Sequence, residues 1–236
     1  MLPDALENAT LEQIEAMEVL LLRRLAGWRM RNFFKDDGPL RRELYGRHMA
    51  FFRAGATHRE RCFMAGNRVG KTIGGAYETT LHLTGRYPDW WQGRRFDKPI
   101  HAWAAGKTTE TTRDIVQLEL YGQPGQPGTG MIPADDIVKA RPRPNGNGAL
   151  DFIRVKHLTG GESVLGFKSY DQGRKAFEGT AKHWVWLDEE PPPTVYNECL
   201  TRTATTQGLI AITFTPLEGA TEVVLDFLTK GQQVTT

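Results

Sequence analysis

Apolar residues recur along this chain with two different periods. Over residues 11 to 26 they fall at Leu11, Ile14, Met17, Leu21 and Leu25, steps of three and four that line one face of a helix. Thr10 and Gln13 supply a capping box at its start, and Gly27 can close its end. A weaker helical stretch covers 41 to 54, with Tyr45, Phe51 and Phe52 as its aromatic positions. From there the pattern alternates. A short apolar strand at 61–65 runs into a glycine-rich turn, a helix follows over Lys71–Thr84, then a strand at 100–105 and a helix at 109–120. Strand and helix in turn are the mark of βαβ units and a mostly parallel sheet. The glycines and prolines of "YGQPGQPGTGMIP" stop both periods, and "KARPRPNGNG" reads as a second, basic loop. "DFIRVKHLTGGESVLGFKS" then alternates sides in two runs joined at Gly160 and Gly161, a hairpin signal. Continuous apolar runs at 184–187 and Leu209–Phe214 predict buried strands, with a helix at 194–204 between them. A last helix, 220–229, places Val224, Phe227 and Leu228 on one face and meets Gly231.

With 236 residues, the chain can form one large α/β domain with an N-terminal appendage. The expected division is a helical segment over 1–55 packed on a catalytic domain over 56–236. Hydrophobic content of 39% and charged content of 25% are those of an ordinary globular protein. The apolar runs are too short for a membrane helix, and "MLPDALENAT" lacks the features of a signal peptide, so the expected compartment is a cytoplasm. Cys62 and Cys199 sit in apolar stretches without metal-ligand spacing and read as reduced, buried thiols. The net charge of +2 hides an asymmetry. Residues 23–61 carry eleven Lys or Arg against four Asp or Glu, whereas residues from Trp184 onward carry two against seven. Either one face meets an anion, or the excess is solvated surface.

The densest chemistry lies in "FMAGNRVGKT". A phosphate-binding loop needs a tight turn whose N–H groups face an anion, followed by a helix whose positive end faces the same charge. Gly70 allows close approach, Lys71 reaches β- and γ-phosphates, and Thr72 can hold Mg²⁺ through its hydroxyl. The pattern G-x-x-x-x-G-K-[ST] wants a glycine where Ala65 stands, and Gly66, one place on, is expected to supply the flexibility instead. Ala65, Gly66, Asn67, Arg68, Val69, Gly70, Lys71 and Thr72 are therefore the candidate ATP-binding residues.

The second half of such a site is an apolar strand ending in carboxylates, and "HWVWLDEEPPP" provides it. Asp188 is the candidate Mg²⁺ carboxylate, and Glu189 the candidate general base for the water that attacks the γ-phosphate. There is no N-K-x-D guanine element, and no glycine follows Asp188, so ATP hydrolysis fits better than GTP switching. "LIAITFTPLEG" ends a third strand with Thr213, Thr215 and Pro216. These residues either sense the γ-phosphate or are ordinary strand threonines.

The blocks "AGATHRERCFMAGNRVGKT", "FEGTAKHWVWLDEEPP" and "ITFTPLEGATEVVLDFLT" resemble, in this order, the ATPase part of the large terminase subunit of tailed bacteriophages. The resemblance covers roughly residues 45 to 229, and in that family Ala or Ser commonly replaces the first loop glycine. It implies a three-layer P-loop NTPase of the RecA-like, additional-strand catalytic-glutamate type, an α/β fold with a mostly parallel central sheet. It further implies an ATPase using ATP and Mg²⁺ to move double-stranded DNA of any sequence into a procapsid. Lys71 and Thr72 would bind phosphate and metal, Asp188 the metal, and Glu189 would act as base. Thr213, Thr215 and Pro216 would couple hydrolysis to DNA movement, and Arg68 matches a loop arginine that can stabilise γ-phosphate charge. Portal protein, small terminase subunit and a homo-oligomeric ring at the procapsid portal in the host cytoplasm come from the same resemblance.

Two departures stand out. The family's adenine contact upstream of the loop has only Tyr45, His48 and Phe51 as candidates here. The C-terminal nuclease domain of the family is not represented in these residues, so DNA cleavage is not expected of them. Lys139, Arg141 and Arg143 are the candidate DNA contacts, able to grip phosphates without reading bases. Arg113, Arg174 and Arg202 are candidates for an arginine finger acting across a ring. The competing readings are a helicase-like motor and a module that binds nucleotide for assembly without turnover; Glu189 speaks against the second.

Overall fold

Two runs that are apolar at nearly every position, Trp184–Asp188 and Leu209–Phe214, lie buried side by side within a seven-stranded sheet. In this computed structural model residues 10–11, 13–15, 17, 28–144, 146–216 and 221–230 are described. The strands are β1 (Glu60–Met64), β2 (His101–Gly106), β3 (Ile137–Pro142), β4 (Leu150–Lys156), β5 (Glu162–Ser169), β6 (Trp184–Asp188) and β7 (Leu209–Phe214), in the order β1-β7-β6-β2-β5-β4-β3. The first five run parallel, and β4 and β3 close the sheet as an antiparallel hairpin extension. Strand β7 thus lies between the strand that enters the glycine-rich loop and the strand that ends in Asp188.

Alternate residues of the parallel strands point to opposite faces. On one face Phe63, Ala104, Trp184, Trp186 and Ala211 pack under α1 (Gly46–Ala54), α2 (Lys71–Thr84) and a helical run, α3, over 109–121. On the other, Ala105, Val185, Leu187, Ile210 and Ile212 meet α4 (Pro193–Ala204) and α5 (Glu222–Lys230). Helices on both faces are what let such strands be apolar throughout.

Helix α2 packs close against the sheet, and one residue permits it. A Cβ on Gly75 would lie 2.3 Å from the Trp186 indole. Beneath the same helix Arg61 of β1 donates to both carboxylate oxygens of Glu78, at 3.1 and 2.8 Å, and to the Phe51 carbonyl at 2.9 Å. Burial opposes ionisation of Glu78, but Arg61 and the His82 ring outweigh it and hold the carboxyl below its usual range. This ionic cluster ties α1, β1 and α2 together.

The structure corrects four expectations. "KARPRPNGNG" is not all loop: Ile137–Pro142 is the edge strand β3, so Lys139 and Arg141 stand on a strand and only Arg143 begins the turn. Pro142 is tolerated because it ends an edge strand. The stretch 41–54 divides into a 3₁₀ turn, Arg42–Tyr45, and a helix that begins only at Gly46. Helix α3 carries a π-helical segment, Thr112–Gln117. Its Gln117 amide donates to Gly148 and accepts from Leu150, contacts distant in sequence. In α5 the buried pair is Val223 and Val224, while Leu228 is 42% exposed. The Thr10–Gln13 capping box is present, and Leu11, Ile14 and Met17 are exposed. Leu21, Leu25, Gly27, Ala220 and Gly231 lie outside the described residues. Both cysteines are free thiols, Cys199 buried and Cys62 partly so, and burial pushes each up to about 12.

Candidate nucleotide site at the carboxyl ends of the strands

Because β1, β7 and β6 are parallel and in register from Met64–Phe214 to Asp188–Thr213, their carboxyl ends deliver the loop, the hydroxyls and the carboxylates to one edge. Ligands of open α/β sheets bind at this edge. The loop 65–70 leaves β1 with the Ala65 N–H donating to the Phe214 carbonyl at 3.3 Å and enters α2 at Gly70. Gly70 holds φ 82, a left-handed conformation that favours glycine. Gly66 does not have a positive φ, and a Cβ there would meet nothing within 4 Å. The expectation that Gly66 replaces a missing flexible glycine is therefore wrong. The second left-handed residue of the loop is Arg68, at φ 61, with its side chain exposed.

Lys71 folds over the loop and donates from Nζ to the Gly66 carbonyl at 2.6 Å and to Thr215 Oγ1 at 2.8 Å. Thr215 in turn donates to Asn67 Oδ1 at 2.8 Å. The loop is thus linked to the end of β7 through two side chains. Thr72 Oγ1 donates to Asp188, 3.2 Å from Oδ1 and 3.4 Å from Oδ2. Thr213 Oγ1 donates to Oδ1 at 2.7 Å and itself accepts from Trp186 Nε1 at 2.8 Å. Asp188 is 5% exposed. Burial is the main force raising its pKa, to about 7; the Thr213 hydrogen bond opposes this and the charge of Glu189 adds to it. A buried carboxyl near neutrality, surrounded by hydroxyl oxygens, is poised to ionise as soon as a cation shares the site.

Glu189 is exposed and left-handed, at φ 66. Its N–H donates to the Thr213 carbonyl at 2.9 Å, and Tyr170 Oη lies 3.0 Å from the Asp188 carbonyl and 2.9 Å from that of Glu189. Sequence reasoning missed Tyr170. It opens a 3₁₀ turn after β5, and nothing in the local spacing shows that its hydroxyl reaches β6. Pro216 follows Thr215 beyond the end of β7.

Of the three candidates for the base contact, only His48 touches the loop, with Nε2 3.1 Å from the Gly70 carbonyl. Tyr45 packs edge-on against His48 and Phe34. Phe51 is stacked on Phe63, under the Arg61 guanidinium. Lys139 and Arg141 are exposed on β3, far along the sheet order from the loop, and Arg143 donates to the Phe167 carbonyl at 2.9 Å. Arg113 pairs with Asp114, Arg174 with Glu198 and Glu178, and Arg202 with Glu198. Among the described residues no group of three or more His, Cys, Asp or Glu side chains is placed to hold a metal. A cation beside Thr72 and Asp188 would therefore take its other ligands from phosphate oxygens and water, the habit of Mg²⁺. No helix of the described residues is long and apolar enough to cross a membrane.

The family model described as "Terminase large subunit, T4likevirus-type, N-terminal" matches residues 62–236. The terminase large subunit of Salmonella phage P22 is 39% identical over 246 residues, covering 94% of this chain and 48% of its own length. The chain thus spans about half the length of that curated relative. The large terminase ATPase domain of Thermus phage P74-26 shares the fold, with a TM-score of 0.51 over 80% of this chain and 70% of its own, at 15% identity. The fold is accordingly a RecA-like P-loop fold, with the additional strand β7 between β1 and β6. The chain belongs to the terminase large subunit family and carries the sequence of that family's N-terminal region.

Proposed function

We propose that this chain is the motor part of a phage large terminase, hydrolysing ATP to drive double-stranded DNA into a procapsid. The observation that carries this reading is the convergence of Thr72, Thr213 and Asp188 beside a loop lysine, with Glu189 next in the chain. Residues Ala65 to Gly70 would wrap the phosphates with their N–H groups, and Lys71 would turn from Gly66 and Thr215 to the anion. The donor set at Thr72 and Asp188 fits Mg²⁺, which when bound would neutralise charge developing on the phosphates. Glu189 would accept a proton from the attacking water, and Arg68 would face the γ-phosphate. Since Lys71 is bonded to Thr215, a phosphate that captured Lys71 would release the end of β7, which supports Thr213, Thr215 and Pro216 as the coupling segment. His48, and behind it Tyr45, support base binding on the α1 side of the loop.

The same reading assigns residues 1–55 to a helical segment packed on the ATPase domain of 56–236. It places Lys139, Arg141 and Arg143 against the DNA backbone. Lys139 stands directly opposite Arg154 across the β3–β4 ladder, and like charges so placed are destabilising. A polyanion on this face would offset that. A ring of copies, the portal protein, the small subunit and a site of action at the procapsid portal in the host cytoplasm complete the proposal by family membership.

Steady-state ATP hydrolysis by the wild-type chain and by Glu189→Gln tests it. The wild type should turn over with Mg²⁺, and the variant should bind ATP but hydrolyse it about 10²- to 10⁴-fold more slowly, the range for loss of a general base. Equal rates would sink the assignment of Glu189.

A further inference from the structure

We infer that Tyr170 is a positioning residue for the hydrolytic carboxylate, its buried hydroxyl fixing the backbone from which the Glu189 side chain is aimed. The inference rests on the proposed role of Glu189. A residue other than glycine with φ 66 is uncommon and persists only where its surroundings over-determine it. Three contacts do so here. The Glu189 N–H is held by the Thr213 carbonyl of β7. The carbonyls of Asp188 and Glu189, which flank the Glu189 Cα, share the Tyr170 hydroxyl, at 3.0 and 2.9 Å. Downstream, Pro191 restricts Glu190, whose carboxylate is engaged by Thr221.

Tyr170 is 6% exposed, packed in the core that contains Phe177, Leu187 and Cys199. A tyrosine phenol, with an ordinary pKa of about 10, is protonated at neutral pH. The hydroxyl is therefore a permanent donor. Tyr170 also opens the turn after β5, so the ends of β5 and β6, strands separated by β2 in the sheet, are tied at the catalytic edge. The aromatic ring fills the core, and the single oxygen sets the carboxylate.

Tyr170→Phe keeps the ring and removes the oxygen. Turnover of ATP should fall about tenfold, the worth of one well-placed hydrogen bond, with KM within about twofold. In a Glu189→Gln background the same change should have no further effect on rate, since a positioning residue acts only through the group it positions. Affinity for ADP with aluminium fluoride should fall in parallel while affinity for ADP alone holds, a readout that does not depend on turnover. Unchanged kcat and unchanged analogue affinity would overturn the inference. So would an equal loss in the Glu189→Gln background, which would mark Tyr170 as merely structural. If Glu189→Gln itself left the rate intact, the reading of Glu189 would fail instead, and the two failures would be told apart.

Discussion

At the scale of single residues, the site keeps two side chains in left-handed backbone, Arg68 at φ 61 and Glu189 at φ 66. Each such conformation costs about 1–2 kcal/mol relative to the right-handed region. Arg68→Gly removes that cost while adding roughly 0.5–1 kcal/mol of chain entropy. The variant should therefore be no less stable in urea than the parent, yet hydrolyse ATP at least about tenfold more slowly if its guanidinium meets the γ-phosphate. Gly70, Lys71, Thr72, Asp188 and Glu189 are legible in the sequence as residues at the ends of apolar strands, where the proposed phosphate and metal chemistry asks for those residue types. Gly66 was misread because a pattern reports residue identity and not backbone angle. Tyr170 was invisible because its role lies in a contact between two strand ends.

Elements tell the same story through packing. The WVWLD run is legible as a buried strand, but that Trp186 fills the space over Gly75 and donates to Thr213 follows only from the pairing of α2 with β6. Gly75→Ala should cost about 1–3 kcal/mol, as overpacking does, measured by chemical denaturation. Because the displaced ring also holds Thr213, Mg²⁺-dependent nucleotide affinity should drop with it. The misread edge strand β3 shows the complementary limit. Prolines and glycines mark the turn at 143–149, while the exposed, basic Ile137–Pro142 has no apolar alternation to announce a strand. The π-helical segment Thr112–Gln117 likewise follows from distant partners of Thr112 and Gln117, on β5 and before β4.

Across the whole molecule, the buried charges set the response to pH and mutation. Arg61 and Glu78 are 4% and 0% exposed; Arg61→Ala strands the carboxylate and should destabilise the fold by about 3–5 kcal/mol. His48 and His82 are held below 6.5, burial being the main cause in each. His82 faces Glu78, Tyr87, Arg61 and Arg94, and His48 faces the Gly70 carbonyl. With the folded pKa depressed, both rings are neutral above 6.5 in folded and unfolded chains. Below 6.5 only the unfolded chain takes up the proton. Stability is thus fully present above 6.5 and declines as pH falls, by up to about 1.4 kcal/mol per pH unit per ring. Asp188, raised to about 7, acts in the opposite sense over this range, so the test is differential: between pH 7.5 and 5.5 His82→Gln should lose less stability in thermal melts than the parent does.

The placement of β7 also bears on how the protein is made. Strand β1, which carries the phosphate loop, has β7 as its sole neighbour in the described sheet. It ends at Met64, whereas β7 begins at Leu209. At translation speeds of roughly 5–20 residues per second, the loop strand waits about seven to thirty seconds for its partner. A nucleotide bound as proposed would therefore meet the loop without the Thr213 and Thr215 hydroxyls during that interval. The Thr213 and Thr215 contacts form only when β7 slots between β1 and β6, so a nascent polypeptide stalled before residue 209 would hold the whole loop and, under the proposed function, bind ATP more weakly than the finished chain.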